Sequence, residues 1–400
     1  MIQSPWTKWW QDDFPCEFDK AKTNKNNQYL IKLLGENWLK KRILRNHRCH
    51  PLLMRWLSNG CYSYLELNAL AEDIRLIENK PNFKTILNGL KSKNTCIATW
   101  HVIHCAAMFE RGEKCVVSRF HAQTSKTSPD FSLNIDGKYY PVECKRLIES
   151  DYEVEFNKYA KKLLTSIKSS ILTGKLIYPQ ISIVIKCYES LPEISRVTET
   201  IKEGMGKFQG QSIKGAFEQC NIFIDPQNLT KKDFSSHKSV YIFCPRSIKE
   251  NTRVEGRIKS ASKQLKQYDS EISGLVCIGI GQHQDPYYIG DKLVERFKRG
   301  ELRSVSGVIL LRSGTFLGKP KYTVSDLTGM ISNVNATMKL PRKNLKFRPL
   351  GMHGTLTDDR NLNEVSSYRV ASVEGTRVNL SSGTLLSAPN IKYIPKEMLE

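Results

Sequence analysis

Two acidic residues and a lysine flank a predicted β-hairpin in residues 128–147, SPDFSLNIDGKYYPVECKRL. Asp136-Gly137 favours a two-residue type I′ turn, because both central residues of such a turn need positive φ. Counting outward from that turn places Asp130 directly opposite Glu143, one pair beyond the last core pair. The spacing therefore predicts two carboxylates side by side at the open end of a hairpin.

Successive side chains of a strand point to opposite faces, so the register sorts the residues of this hairpin into two sets. The apolar set shares one face and predicts a core: Phe131, Leu133, Ile135, Tyr140 and Val142. Asp130, Glu143 and Lys145 share the other face. Directly opposed residues have Cβ atoms about 4.5–5.5 Å apart, and like charges there are destabilising, so a fold that keeps both acids needs a counter-charge.

A divalent cation is a counter-charge that also brings chemistry to this hairpin. Mg²⁺, or Mn²⁺ in its place, binds one or two carboxylates together with water and phosphate oxygens. Lys145 would then hold or deprotonate the attacking water, or stabilise charge that develops on the phosphate. These parts are sufficient to hydrolyse a phosphodiester. The alternative is a surface hairpin in which Glu143 and Lys145 simply face solvent.

The SPD segment at Asp130 and the VECK segment, which holds Glu143 and Lys145, resemble the PD-(D/E)xK nuclease superfamily, which has the restriction-endonuclease-like fold. The resemblance implies an α/β domain with an α-β-β-β-α-β core and a mixed sheet. It also implies that the two acids bind the metal ion and that the backbone carbonyl of Cys144 adds a ligand. A lysine at the position of Lys145 acts on water or phosphate in that family.

The helix predicted before the hairpin, residues 96–111, matches the family only in part. Family members tend to place an acid in the earlier turns of this helix, whereas its one acid here is Glu110, near the end. Glu110 is retained as a candidate catalytic residue, and this departure bears on whether a second metal ion binds. The earlier turns carry His101 and His104 instead.

A second flanking feature lies on the predicted helix 256–268. Gln264 and Tyr268 are four residues apart and therefore share a helical face. They resemble the Q-x-x-x-Y element of the exonuclease-related branch of the superfamily. Lys259 or Lys263 is an alternative phosphate contact on the same helix.

Three regions follow from the pattern along the 400 residues. Apolar residues three and four apart predict a helical region over 1–94. Alternating strands and helices predict the α/β nuclease domain over 95–315, with an insertion at about 150–250. The remainder, 316–400, is richer in Gly, Ser, Thr and Asn and predicts a small basic appendage of β-rich or irregular structure.

The charge balance favours polyanionic partners. Lysine and arginine total 61 against 40 acidic residues, a net charge of +21, which attracts nucleic acid at long range. Basic residues cluster in 38–56 and in 340–351. The candidate phosphate contacts in these stretches are Lys40, Lys41, Arg42, Arg45, Arg342 and Lys343. The alternative for residues 38–56 is a helix face that is simply exposed to solvent. The alternative for the net charge of +21 is a soluble basic protein that binds no polyanion.

Cysteine usage predicts a reducing compartment. The eleven cysteines are scattered, odd in number and form no C-x-x-C pair, which favours reduced thiols in the cytoplasm over a disulfide framework. The sequence contains no apolar run of 18 or more residues, so no membrane span is expected. The amino-terminal residues lack the pattern of a secretion signal. Two groupings of histidine and cysteine lack the second ligand pair of a zinc finger: His47, Cys49 and His50, and His101, His104 and Cys105.

The combined interpretation is a cytoplasmic, Mg²⁺-dependent endonuclease that cuts double-stranded DNA, in restriction or anti-phage defence as the resemblance implies. No G-x-x-x-x-G-K-[ST] motif occurs, so ATP-driven degradation by this chain alone is not expected. Two alternatives stay open: a nuclease fold that binds nucleic acid without cutting it, and a nuclease that cuts RNA. A double-strand cut made with one active site per chain favours a homodimer, and an activating protein partner is the other expected kind of partner.

Overall fold

The computed structural model divides the chain into two compact units. It describes residues 20–39, 50–53, 61–112, 114–121, 128–147, 150–170, 180–185, 190–225, 240–243, 248–280, 284, 286–317 and 322–341. The first unit takes its described residues from 20–147, 253–280 and 286–341, and the second takes them from 150–252 and 284. The second unit therefore interrupts the first in sequence, over nearly the range predicted for an insertion.

The helices and strands follow one another in three runs along the chain. The first run is α1 Lys20–Leu34, α2 Cys61–Ile77, α3 Phe83–Lys91, α4 Cys96–Glu110, β1 Cys115–Phe120, β2 Phe131–Ile135 and β3 Lys138–Arg146. The second run is α5 Asp151–Ser170, β4 Gln180–Ile185, α6 Ile194–Lys207, β5 Ile213–Phe217, β6 Cys220–Asp225 and β7 Val240–Phe243. The third run is α7 Ile248–Tyr268, β8 Gly274–Gly279, α8 Pro286–Lys298, β9 Val305–Leu317 and β10 Tyr322–Ser332.

The first unit contains a mixed six-stranded sheet in the order β1-β2-β3-β8-β9-β10. Strands β1, β2 and β3 form an antiparallel meander, β8 lies parallel to both β3 and β9, and β10 returns antiparallel to β9. The mixed sheet and its helices confirm the predicted α/β class. None of the helices in the described part of the chain combines the length and apolarity that a membrane span requires.

The β2–β3 hairpin has the predicted register. Ile135 pairs with Lys138 next to the turn, and Phe131 pairs with Val142 at the far end. Asp136 and Gly137 both have positive φ, at 53° and 77°, as a type I′ turn requires. The turn residues therefore fix which face of the hairpin each later side chain joins.

Both faces of the six-stranded sheet are covered by helices. On one face, Leu133 of β2 and Cys277 of β8 belong to a buried core with α4. On the other face, Val276 and Ile278 of β8 belong to a second core with Ile258 of α7 and with α8. Parallel and mixed sheets with helices on both faces bury long apolar strands in this way. Glu143 pairs with Val276, so its side chain lies on the α7 face.

The amino-terminal helices share one hydrophobic core with the sheet. Leu30 of α1, Leu70 of α2 and Leu90 of α3 are fully buried in the same cluster as the apolar face of the hairpin. The helices before residue 94 and the sheet after it therefore share one core, and the boundary expected near residue 94 does not divide that core. The other expected boundary, near residue 316, falls inside β9, because the sheet continues through β10 even where the composition changes.

The second unit has its own sheet and its own core. Its four strands lie in the order β5-β6-β4-β7. The buried residues of this core come from both helices and from the strands, with Phe156 of α5, Ile201 of α6, Ile183 of β4 and Ile222 of β6 among them. A separate core allows a segment to fold as a domain of its own.

Replacing Gly274 with Ala is expected to destabilise the first unit. A Cβ atom at Gly274 would lie 2.3 Å from the backbone oxygen of Pro141 on β3 and 2.8 Å from Leu265 Cδ2. Overpacking against backbone costs about 1–3 kcal/mol, which should lower the thermal unfolding midpoint by several degrees. Gly256→Ala is the matched control, since its Cβ would meet nothing within 4 Å on a helix and should be neutral or stabilising. Equal midpoints for the two variants would contradict this packing.

Candidate active site

Asp130 is held at the open end of the hairpin by backbone and side-chain hydrogen bonds. It is only 4% exposed and directly precedes β2. Its amide donates to the Val142 oxygen, and its own oxygen accepts from the amide of His121, each at 3.0 Å. Its Oδ2 accepts from the Cys144 amide at 2.7 Å. The carboxylate is therefore fixed beside β3, next to the residue that follows Glu143.

Glu143, Lys145 and Gln264 form a closed ring of hydrogen bonds on the α7 face. The Lys145 ammonium donates to Glu143 Oε1 and, at 3.1 Å, to Gln264 Oε1. Gln264 Nε2 donates to Glu143 Oε2 and to the Ser128 oxygen, both at 2.9 Å. The structure thus brings together the residues expected from the hairpin register and the one expected from helix α7.

Burial and, to a smaller extent, the nearby Asp130 carboxylate together raise the pKa of Glu143 to about 8. Hydrogen bonds and charge from Lys145, and the hydrogen bond from Gln264, act in the opposite direction. A buried acid next to a second acid is unfavourable when ionised unless a cation joins them. The oxygen donors of such a pair suit a hard divalent cation such as Mg²⁺ or Mn²⁺.

Sequence reasoning missed His121, which extends the polar face of the site. His121 Nε2 lies 2.7 Å from Ser132 Oγ, and Ser132 is two residues beyond Asp130 on the same strand face. The His121 ring also meets the ring of Tyr268 edge-on, with centroids 5.7 Å apart. Burial lowers the pKa of His121, with a smaller contribution from Arg119. Only the pairing of β1 with β2 places this histidine, and no local sequence motif reports that pairing.

Glu110 has its described contacts elsewhere. Its carboxylate lies 2.8 Å from Lys80 Nζ and accepts from the Val117 amide of β1. Helix α4 packs on the Leu133 face of the sheet, away from the α7 face. The described contacts of Glu110 therefore join it to α4, β1 and Lys80 and include none of the hairpin acids.

The histidine and cysteine grouping on α4, which lacks the second ligand pair of a zinc finger, makes contacts in two directions. His104 Nδ1 lies 2.8 Å from Asp73 Oδ2 on α2, and Asp73 also pairs with Arg111. His101 instead lies beside Cys105, with Nε2 3.7 Å from the sulfur. In the other grouping, His50 accepts from the Leu52 amide at 3.2 Å, and residues 47 and 49 lie outside the described residues.

The candidate phosphate contacts fall into two groups. Lys259 and Lys263 are exposed on α7, the helix that carries Gln264. The other candidates lie outside the described residues: Lys40, Lys41, Arg42, Arg45, Arg342 and Lys343.

No protein-family model matches the chain, and no curated protein is significantly similar to it in sequence.

On the nuclease interpretation of the hairpin residues, replacing Gln264 with Leu is expected to weaken cleavage about 10–100-fold, the range typical for partners that orient metal ligands. The change keeps the bulk but removes the hydrogen bonds to Glu143 and Lys145. Since the bond from Gln264 lowers the pKa of Glu143, its loss should also move the pH profile of Mg²⁺ binding to higher pH. Gln267→Leu, at an exposed position of the same helix, is the control. An unshifted pH profile would argue that Gln264 is merely a packing residue.

Proposed function

We propose that this protein is a Mg²⁺-dependent nuclease that hydrolyses phosphodiester bonds in double-stranded DNA. The observation that carries the proposal is the convergence of Asp130, Glu143 and Lys145 on one buried strand face, tied to Gln264 of α7. The element order supports it as well. Helix α4, the three-stranded meander, α7 and β8 follow the α-β-β-β-α-β order of the restriction-endonuclease-like core.

The donor set fits a divalent cation. Asp130 and Glu143 supply buried carboxylates, and burial together with the Asp130 charge raises the pKa of Glu143 despite the neighbouring Lys145 ammonium. These two residues would hold the ion, and the Cys144 carbonyl is the further ligand that the resemblance implies. A bound Mg²⁺ polarises phosphate oxygens and lowers the pKa of a water ligand.

Lys145 and Gln264 prepare the site for the reaction. The ammonium of Lys145 is held at the edge of the acid pair, where it can orient a water molecule or stabilise charge on a phosphate oxygen. Gln264 holds both Lys145 and Glu143 in place and is therefore a positioning residue. The partly buried setting strengthens these electrostatic interactions relative to bulk water.

The charge of the protein supports a nucleic-acid substrate. The surplus of +21 attracts polyanions, and exposed Lys259 and Lys263 lie on the helix that completes the site. The choice of double-stranded DNA, a cytoplasmic role in restriction or defence, and a homodimer or activating partner all rest on the resemblance of the hairpin residues to the nuclease superfamily.

The test is a cleavage assay with the purified full chain on supercoiled plasmid, linear DNA and RNA, with Mg²⁺, Mn²⁺ or EDTA. We expect metal-dependent cutting of DNA that is lost in EDTA. Cutting of RNA alone would favour an RNA nuclease, and metal-independent binding without cutting of any substrate would favour the non-catalytic binding module.

Reversing charge on α7 is expected to weaken DNA binding without changing metal binding. Each phosphate contact contributes about 0.9 to the slope of log K against log salt. Lys259→Glu with Lys263→Glu should therefore reduce that slope by about 1–2, measured by fluorescence anisotropy across a salt series. Lys84→Glu with Lys93→Glu changes the same net charge at exposed positions on and just after α3. Identical slopes for the two double variants would show that α7 does not contact phosphate.

A further inference from the structure

Three cysteine thiols meet behind the candidate active site. Cys105 of α4, Cys144 of β3 and Cys277 of β8 place their sulfur atoms within 4.8 Å of one another. All three thiols are buried, although the Cys144 residue as a whole is only partly buried. Cys144 and Cys277 are direct partners in the parallel β3–β8 pair, and α4 covers them from the apolar face.

The sulfur spacing suits a single tetrahedral metal ion. A Zn–S bond of about 2.3 Å puts two thiolates of a tetrahedral site about 3.8 Å apart. The observed upper limit of 4.8 Å is within reach of small side-chain rotations. Common iron–sulfur clusters use four cysteines, or two cysteines with two histidines, and the described residues gather three thiols here.

His101 places its ring nitrogens beside the Cys105 sulfur. It lies one helical turn before Cys105, and its Nε2 and Nδ1 atoms are 3.7 and 3.9 Å from the Cys105 sulfur. Bonds of about 2.0–2.1 Å to nitrogen and 2.3 Å to sulfur place the two ligand atoms about 3.6 Å apart in a tetrahedron.

A glycine on β8 makes room for this imidazole. Gly279 is two residues beyond Cys277 and therefore on the same face of the strand. A Cβ atom at Gly279 would lie only 3.1 Å from His101 Cε1 and 3.4 Å from Nδ1. The ring is thus seated against the strand that carries Cys277.

We propose that Cys105, Cys144 and Cys277, with His101 as the fourth ligand, form a structural zinc site. Three thiolates and one imidazole are a ligand set of closed structural zinc centres. The site would join α4 to β3 and β8. Because Cys144 lies between Glu143 and Lys145 in sequence and points to the opposite face, the zinc ion would brace the strand that carries the candidate catalytic residues. The proposal stands independently of the proposed nuclease activity.

The test is the zinc content of the full chain purified from zinc-supplemented cultures without chelators. We expect about one zinc per chain in the wild type, measured by mass spectrometry of the metal and by release to a chromogenic chelator. Cys105→Ser and Cys277→Ser should lose that zinc. Cys96→Ser, a buried cysteine on the same helix but outside the cluster, should retain it.

Cobalt substitution of the wild type keeps the proposal testable if the serine variants fail to fold. Co²⁺ in this site should give the thiolate-to-cobalt charge-transfer and d–d absorption bands of a tetrahedral Cys₃His centre, and His101→Ala should shift the d–d bands. A wild type without zinc and without these bands would show that the thiols only fill the core. Zinc retained in full by both serine variants would place it elsewhere in the chain and overturn the assignment.

Discussion

A protein in which Lys145 is replaced by Met is expected to cut DNA at least about 10²–10³-fold more slowly than the wild type, the loss typical when one preorganised electrostatic donor is removed. The Lys145 ammonium is the positive side chain bonded directly to Glu143 and Gln264. Methionine keeps much of the aliphatic length but removes the charge and its donors. Affinity for DNA should change little, because one partly buried lysine is a small part of a surplus of +21.

The control for this prediction is Lys138→Met, which removes one exposed lysine at the turn of the same hairpin. Its cleavage rate should equal that of the wild type. Single-turnover kinetics separate the chemical step from binding and product release. A Lys145→Met protein that cuts at the rate of Lys138→Met would refute the role assigned to the E-x-K lysine.

Replacing Glu143 with Gln is expected to remove a loss of stability that the metal-free wild type undergoes as the pH rises toward 8. The pKa of Glu143 rises from about 4.5 in the unfolded chain to about 8 in the metal-free folded protein. The folded state therefore binds more protons than the unfolded state between these values, so this carboxyl stabilises the protein fully below about pH 4.5 and progressively less up to about pH 8. Glutamine resembles the neutral carboxyl in shape and does not ionise in this pH range.

Thermal midpoints in EDTA should show this difference directly. Relative to the wild type, Glu143→Gln should gain stability as the pH rises from 6 to 9, whereas Glu199→Gln, an exposed helix position, should follow the wild type throughout. Added Mg²⁺ should raise the midpoint of the wild type more strongly toward pH 8, as Glu143 ionises, and should have little effect on Glu143→Gln. Parallel pH curves for all three proteins would contradict the buried acid pair.

Local rules were sufficient for the parts of the site that lie close together in sequence. The Asp136-Gly137 turn and the two-residue alternation of strands predicted the hairpin register and the shared face of Asp130, Glu143 and Lys145. The four-residue spacing on α7 singled out Gln264, although only the fold shows its bonds to Glu143 and Lys145.

Long-range pairing determined what sequence reasoning missed. The cysteine cluster depends on β3 lying parallel to β8, two strands separated in sequence by residues 148–252 of the second unit. His121 reaches the site through the antiparallel pairing of β1 with β2. Glu110 was assigned by its place on a helix, but the face of the sheet that receives the helix decides its contacts. Neither kind of information is present in local spacing.

The interruption between β3 and α7 also sets when the active site can first exist during synthesis. Glu143 and Gln264 are 121 residues apart, and residues 148–252 of the second unit are translated between them. At about 5–20 residues per second, the ribosome needs about 6–24 s to pass from one to the other, enough time for a separate domain to fold first. The emerging chain therefore carries the acids and the lysine without the glutamine that holds them, and the hairpin becomes a complete site only after α7 has left the exit tunnel.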